Sequence, residues 1–281
     1  MTGCSKIMLA AAGLSLMPLA PALAADYAPE VVANQPAQFV PVEVGNGWYL
    51  RGDVGFAFSR DMGNVDYRTF DPVGGTYTGG RLDSASLNTG ATYGIGFGYT
   101  FNPWVRTDIT LDGSNTDFHG RAASTDPCGG APADTTCNTT GSGSVTTLSL
   151  MANGYVDLGT YAGLTPYVGA GAGMSRVKWG GFTENTYCVD GAGTCTAALL
   201  GTTAHSGNTD YRFTYAFMAG LAYDISQNLK LDVGYKYTHV AGGDMFNWDS
   251  ASATAGATGT QGRDNGFSSQ EVRVGLRYEL W

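Results

Sequence analysis

Beyond its first two dozen residues, the chain has no apolar run near the ~18 residues needed for a membrane-crossing helix. Charge is scarce too: 14% of residues are charged, with 15 Lys and Arg against 24 Asp and Glu, for a net charge of -9. An acidic chain lacks the basic surface that phosphate neutralisation needs, which argues against nucleic acid as a partner. G-x-S-x-G, H-E-x-x-H and P-loop patterns are missing. Of the 3 histidines, His239 has Asp244 and serines nearby in sequence, but no spacing singles out a nucleophile, and His119 and His205 fall between regular segments. Gly94, Gly96 and Gly98 lack the strand-turn-helix context of a dinucleotide fingerprint. The expectation is a non-enzymatic protein with no cofactor and no metal. None of the 5 cysteines is in C-x-x-C spacing, which weakens a metal reading.

The missing helical signal does not make the chain soluble, because barrel strands dilute apolar residues with polar ones. From Ser268 to Trp281, Val272, Val274, Leu276, Tyr278 and Leu280 alternate with Arg273, Gly275, Arg277 and Glu279. A strand sends successive side chains to opposite faces, so this segment has one oily and one charged face. Leu280 holds the apolar phase and Trp281 lies one residue beyond it. The pattern recurs near Trp48–Phe58, Asn88–Phe101, Trp104–Phe118, Ser144–Leu158, Thr165–Trp179, Asp210–Ile225 and Leu229–Val240. Short turns follow the second, fourth and sixth strands. Long polar segments follow the others: Ser59–Leu87, His119–Gly143, Gly180–Asn208 and Ala241–Phe267. Those segments are expected to be solvated loops, carrying the aromatics Tyr67, Phe70, Tyr77, Tyr187, Phe246 and Trp248. An up-and-down antiparallel barrel puts all short turns at one end and all long loops at the other. The expected fold is therefore all-β, an eight-stranded antiparallel up-and-down transmembrane β-barrel.

A soluble eight-stranded barrel would turn the same alternation inside out. Volume decides against it. One face carries Tyr, Phe, Leu and Val; the other carries Gly, Ala, Ser and Thr with charges of both signs. A small barrel has little interior room, so the small-and-charged face belongs inside. Lipid then receives Phe56, Tyr93, Ile95, Phe97, Phe213, Tyr215, Phe217, Leu221, Val233, Tyr235, Val274 and Leu276. Aromatics near strand ends, namely Trp48, Tyr99, Phe101, Trp104, Tyr167, Trp179, Tyr223 and Tyr278, are expected in the interfacial girdles.

The first residues read as an export signal, 1–24: Lys6 precedes an apolar stretch, Ile7–Leu23, that ends in Ala22-Leu23-Ala24. Cys4 leaves with it. Residues 25–46 are polar and aperiodic, a periplasmic extension, and 47–281 form the barrel domain. In an oxidising compartment Cys128 with Cys137, and Cys188 with Cys195, each close a short loop as candidate disulfides.

The chain resembles the small eight-stranded outer-membrane proteins of alphaproteobacteria, relatives of the OmpA transmembrane domain. The matching residues are Ala22-Leu23-Ala24-Ala25-Asp26-Tyr27, Gly47-Trp48-Tyr49-Leu50-Arg51-Gly52-Asp53-Val54-Gly55, Gly94-Ile95-Gly96-Phe97-Gly98-Tyr99, Thr165-Pro166-Tyr167-Val168-Gly169-Ala170-Gly171 and Val272-Arg273-Val274-Gly275-Leu276-Arg277-Tyr278. The resemblance implies a structural or porin-like envelope role for a monomer among outer-membrane lipids and lipopolysaccharide, delivered by the barrel-insertion machinery. Arg51, Asp53, Arg106, Asp108, Asp112, Asp157, Arg212, Asp224, Asp232, Lys236, Glu271, Arg273, Arg277 and Glu279, with Lys230, are expected to face the lumen. Buried charges must pair, so a plugging ion-pair network is expected. The alternatives are a small-solute diffusion pore and a surface adhesin or ligand binder acting through the long loops.

Overall fold

The computed structural model describes residues 47–189, 195 and 198–280. The export signal, the 25–46 extension and Trp281 lie outside the described residues. The chain forms β1 (Trp48–Met62), β2 (Val65–Asp71), β3 (Thr76–Arg81), β4 (Ser84–Leu87), β5 (Gly90–Asn102), β6 (Val105–Ser124) and β7 (Thr136–Asp157). There follow β8 (Leu164–Trp179), β9 (Phe182–Val189), β10 (Ala198–His205), β11 (Thr209–Asp224), β12 (Leu229–Asn247), α1 (Ser250–Thr254) and β13 (Thr260–Glu279).

Eight of these strands close a ring. Each of β1, β5, β6, β7, β8, β11, β12 and β13 pairs antiparallel with the next, and β13 returns to β1. Closure leaves no unpaired edge, the condition a strand must meet in lipid. At one end the turns are tight. Asn102 Oδ1 accepts from the backbone N–H of Trp104 and Val105, each at 2.9 Å. Gly159 and Gly163 take positive φ in the β7–β8 turn, a conformation glycine adopts without a Cβ clash. Ser226 Oγ accepts from Leu229 N at 3.1 Å in the β11–β12 turn.

Outward-facing side chains on β11 run from Tyr211 to Tyr223 and include Phe213, Phe217 and Leu221, all exposed. Twelve residue steps at ~3.4 Å and a tilt of roughly 40° give an apolar wall about 30 Å tall, the thickness of a hydrocarbon core. Trp48, Phe101, Trp104, Tyr223 and Tyr278 are exposed on this wall, and Tyr99 stacks edge-on to Trp48 with ring centroids 4.9 Å apart. Tyr167 and Trp179 do not belong to that girdle: they are 7% and 4% exposed and face inward. Their strand parity explains it. Both share the phase of Gly169, Gly171 and Ser175, not that of Val168 and Met174.

The long polar segments are also not loops. Strands β6, β7, β12 and β13 continue well past the apolar wall. The short strand β4 pairs with β6, β9 with β7, and β10 with β9, while β2 joins β13 to β3. The result is a β-structured crown at the end opposite the tight turns. It has a core of its own: Val65, Leu87, Phe118, Val145, Val177, Trp179, Phe182, Val240, Met245, Phe246 and Phe267. Phe246 and Trp248, expected as solvated aromatics, are 5% and 6% exposed. Gly141 is required here, because a Cβ at that position would enter the Phe182 ring. Disulfides join Cys128 to Cys137 and Cys188 to Cys195. Cys137 and Cys188 stand opposite each other in the β7–β9 ladder, so the two bonds fasten neighbouring points of the crown.

Candidate functional site: the barrel interior

The lower lumen, within the apolar wall, is filled by charge. Near the tight turns, Arg106 Nε lies 3.2 Å from Asp157 Oδ1. The Arg106 guanidinium sits over the rings of Tyr155 and Tyr167, at 4.0 and 4.8 Å from their centroids. Arg277 pairs with Asp232 at 3.3 Å. One level up, Arg51 reaches Asp53 at 2.7 Å and Asp108 at 3.0 Å, and donates to Tyr155 Oη at 2.9 Å. Asp108 also accepts from Tyr49 Oη at 3.1 Å and from Asn153 Nδ2 at 2.7 Å. Above that, Asp112 is held by Arg273 at 2.6 Å and by Lys236 at 2.8 Å, and Arg273 also pairs with Glu271 at 2.7 Å. Then hydroxyls take over: Ser149, Ser175 and Thr214 link at 2.6 and 2.5 Å. Glycine makes this packing feasible on β5, where a Cβ at Gly98 would collide with the Tyr49 ring.

Four of the charges expected to face the lumen, Asp224, Glu279, Lys230 and Arg212, lie elsewhere. Asp224 and Glu279 belong to the rim at the tight-turn end, where Lys230 lies 2.7 and 3.8 Å from them, and both acidic side chains are about a third exposed. A charge that can reach water at the strand end has no reason to enter the lumen. Arg212 stands higher, in the crown, where its Nη1 donates to Asp264 Oδ2 at 2.8 Å and its Nη2 to the Asp244 carbonyl at 2.8 Å. Burial pushes the Asp264 carboxyl above its usual range, against the opposing pull of Arg212. Sequence reading missed Asp264, because it lies in a stretch whose apolar alternation has ended. It also missed the polar neutral partners Asn153, Tyr49 and Tyr155, whose parity already placed them inward.

The remaining space is small. A gap of about 20 Å³ lies between Arg51, Asn153, Asp232 and Arg273. Another of about 60 Å³ lies between Asp112, Lys236, Val145, Val240 and Phe267. Since one water needs about 10–15 Å³ on this measure, they hold about one and about four waters respectively. Above the second gap lie the apolar side chains of the crown core, where Phe182 and Phe246 stack at 4.4 Å.

The histidines are dispersed. His205 is buried beside Phe182 and Phe246, with Glu184 Oε2 at 3.4 Å. His239 packs beside Tyr215 at 5.1 Å, whereas Asp244 pairs with Arg263 at 3.1 Å. His119 lies on β6, opposite Ser86 and Ser142 in the ladders.

A closed eight-stranded ring with an apolar exterior and a charged interior is the geometry of an outer-membrane barrel. The family model for the outer membrane protein beta-barrel domain matches residues 9–279. The chain belongs to the outer membrane protein beta-barrel family. An uncharacterized protein of Brucella abortus (strain 2308) is 36% identical over 274 residues, covering 92% of this chain and 94% of that one. A putative adhesin of Rickettsia felis is 27% identical over 242 residues, with coverage of 85% and 90%. Among solved structures, OprG of Pseudomonas aeruginosa aligns with a TM-score of 0.44 at 12% identity, covering 84% of this chain and 96% of that one. Neisserial surface protein A aligns with a TM-score of 0.39 at 15% identity, covering 83% and 97%.

Proposed function

We propose that this protein is a sealed outer-membrane barrel: a non-conducting, non-enzymatic envelope component that works through the part it holds above the membrane. The observation that carries this reading is the doubled closure of the bore. Five basic groups, Arg51, Arg106, Lys236, Arg273 and Arg277, interlock with six carboxylates below, and a hydrocarbon core closes the bore above. A continuous ion path would have to break buried pairs whose separation leaves uncompensated charge, at about 3–5 kcal/mol each. Planar-bilayer recording of the purified barrel tests the reading. The expected outcome is no reproducible open level; a stable unitary conductance would replace it with the diffusion-pore reading.

A second reading, that the crown makes contacts at the cell surface, is favoured by the crown's order. A loop that only needs to be soluble has no use for a core and two disulfides. A β-structured crown on a rigid barrel is a platform on which side chains keep fixed positions, as recognition requires. The Rickettsia relatives carry the name putative adhesin, which fits this assignment.

A further inference from the structure

We propose that the outer face of the platform formed by β13, β2 and β3 binds a sulfated saccharide chain. The proposal rests on the crown being a contact surface, and it names the chemistry of the contact.

The platform follows from register. Arg263 on β13 pairs with Asp66 on β2, and Asp66 pairs with Arg81 on β3. The three side chains therefore form one row across adjacent strands, about 5 Å apart step by step. Arg68 lies two residues along β2, on the same face, opposite Gly79. A groove of about 570 Å³ runs between these groups, lined by Asp66, Arg68, Arg81, Arg263 and Gln261, with Tyr67, Gly79 and Gly80 beneath. The space where a Gly79 side chain would stand is open. Among the described residues strand β3 pairs only with β2, so its far edge leaves backbone N–H groups to the groove's surroundings.

The arginines are held but not consumed. Arg81 touches Asp66 through Nε at 2.8 Å, and Arg263 touches Asp244 through Nε at 3.1 Å; their side chains remain 58% and 68% exposed. Exposed pairs of this kind are weak and exchange readily for a better anion. Arg68 is fixed by other means. Its guanidinium lies over the rings of Tyr77 and Trp248, at 5.0 and 5.6 Å, and donates to the carbonyls of Thr258 and Thr260. Rings and carbonyls orient it without neutralising it. Three planar, permanently charged forks match tetrahedral oxyanions better than point charges would. The half-exposed Tyr77 ring beside them offers an apolar face to a sugar ring.

Height selects the source of the anion. Val272 is the last exposed large apolar side chain on the outer face of β13, and Arg263 lies nine residues beyond it. At ~3.4 Å per residue and a tilt of roughly 40°, that is about 20 Å above the lipid edge. Lipid headgroup phosphates lie below that reach. Arg176 and Lys178, exposed on β8 just above Met174, stand at headgroup level instead.

The test uses the full barrel, refolded in detergent without lipopolysaccharide, and a size-defined heparin oligosaccharide followed by calorimetry. The wild type is expected to bind heparin and not its desulfated counterpart. Arg81→Gln/Arg263→Gln is expected to weaken binding about tenfold or more and to flatten its salt dependence. Arg176→Gln/Lys178→Gln is expected to leave it unchanged. Both pairs are exposed, so folding survives in each, as heat-modifiable gel migration would verify. Equal binding by the groove variant overturns the site, as does loss in the β8 variant alone, or groove-dependent capture of lipid A vesicles in place of heparin. Conductance on the same preparations separates the two proposals. A sealed barrel that ignores heparin overturns only this site, and a conducting barrel that binds heparin through the groove overturns only the seal.

Discussion

In the sealed-barrel proposal two plugs close one bore, and they are made of opposite materials. Within the membrane the charged inward side chains are Arg, Asp, Lys and Glu; in the crown the inward side chains are mainly Phe, Val, Trp and Met, beside the one buried pair Arg212–Asp264. On β7 and β8 the strand is continuous through both, and so is its parity. On β7, Ser149, Met151 and Asn153 face inward with Val145, and on β8 Ser175 faces inward with Val177 and Trp179. What changes is the medium outside. In the membrane the outer face must be apolar, and the polar share of each strand is left to the lumen. Above the membrane the outer face meets water, polar residues are free to go there, and the inner face builds an ordinary core at about 25 cal/mol per Å² buried. The two plugs also differ in robustness. The ionic one is all-or-none, since each charge depends on its partner. The apolar one tolerates partial loss.

That contrast is open to attack from either side. Arg273→Ala should have the largest effect: Glu271 loses its 2.7 Å partner, and Asp112 keeps Lys236 as its one ion-pair partner beside the Thr110 hydroxyl. A destabilisation of about 3–5 kcal/mol is expected in urea unfolding from lipid vesicles. Phe182→Ala should cost about 3 kcal/mol, the low end for a buried aromatic. The outward side of that ring borders a cup of about 220 Å³ into which neighbours can relax. Neither single variant should conduct in a bilayer, because the other plug stays in place, whereas the double variant should give open events. Conductance from Phe182→Ala alone would show that the ionic layer does not seal. Removal of one disulfide, by a Cys→Ser pair, should have the smallest effect. The short disulfide loops, with sequence separations of 9 and 7, predict about 2–3 kcal/mol per bond at most. Faster protease cleavage should be confined to the crown, with unchanged heat-modifiable migration of the barrel; loss of that migration would mean that the crown and barrel unfold as one unit.

The barrel was legible because lipid enforces a strict rule. Phe213, Phe217 and Leu221 against Arg212, Thr214 and Ala216 admits one pleat and one inside. Tyr167 and Trp179 were misplaced when residue type was allowed to outvote parity. The crown was illegible for a different reason. Between Ser59 and Leu87, or His119 and Gly143, the strands are short and glycine-rich, and the polar residues of both faces look alike. Asp264 could not be matched to Arg212 from sequence, because 52 residues and one whole strand, β12, separate them.

By itself the sequence determined the class of fold, the strand count and which side chains meet lipid, since a two-residue period carried through eight segments leaves no other way to satisfy backbone and solvent together. Only the tertiary structure decided which charge pairs with which, that the upper segments fold into a crown, and that this crown has an apolar core. Those outcomes depend on distances between strands remote in sequence, and a local pattern holds no record of such distances.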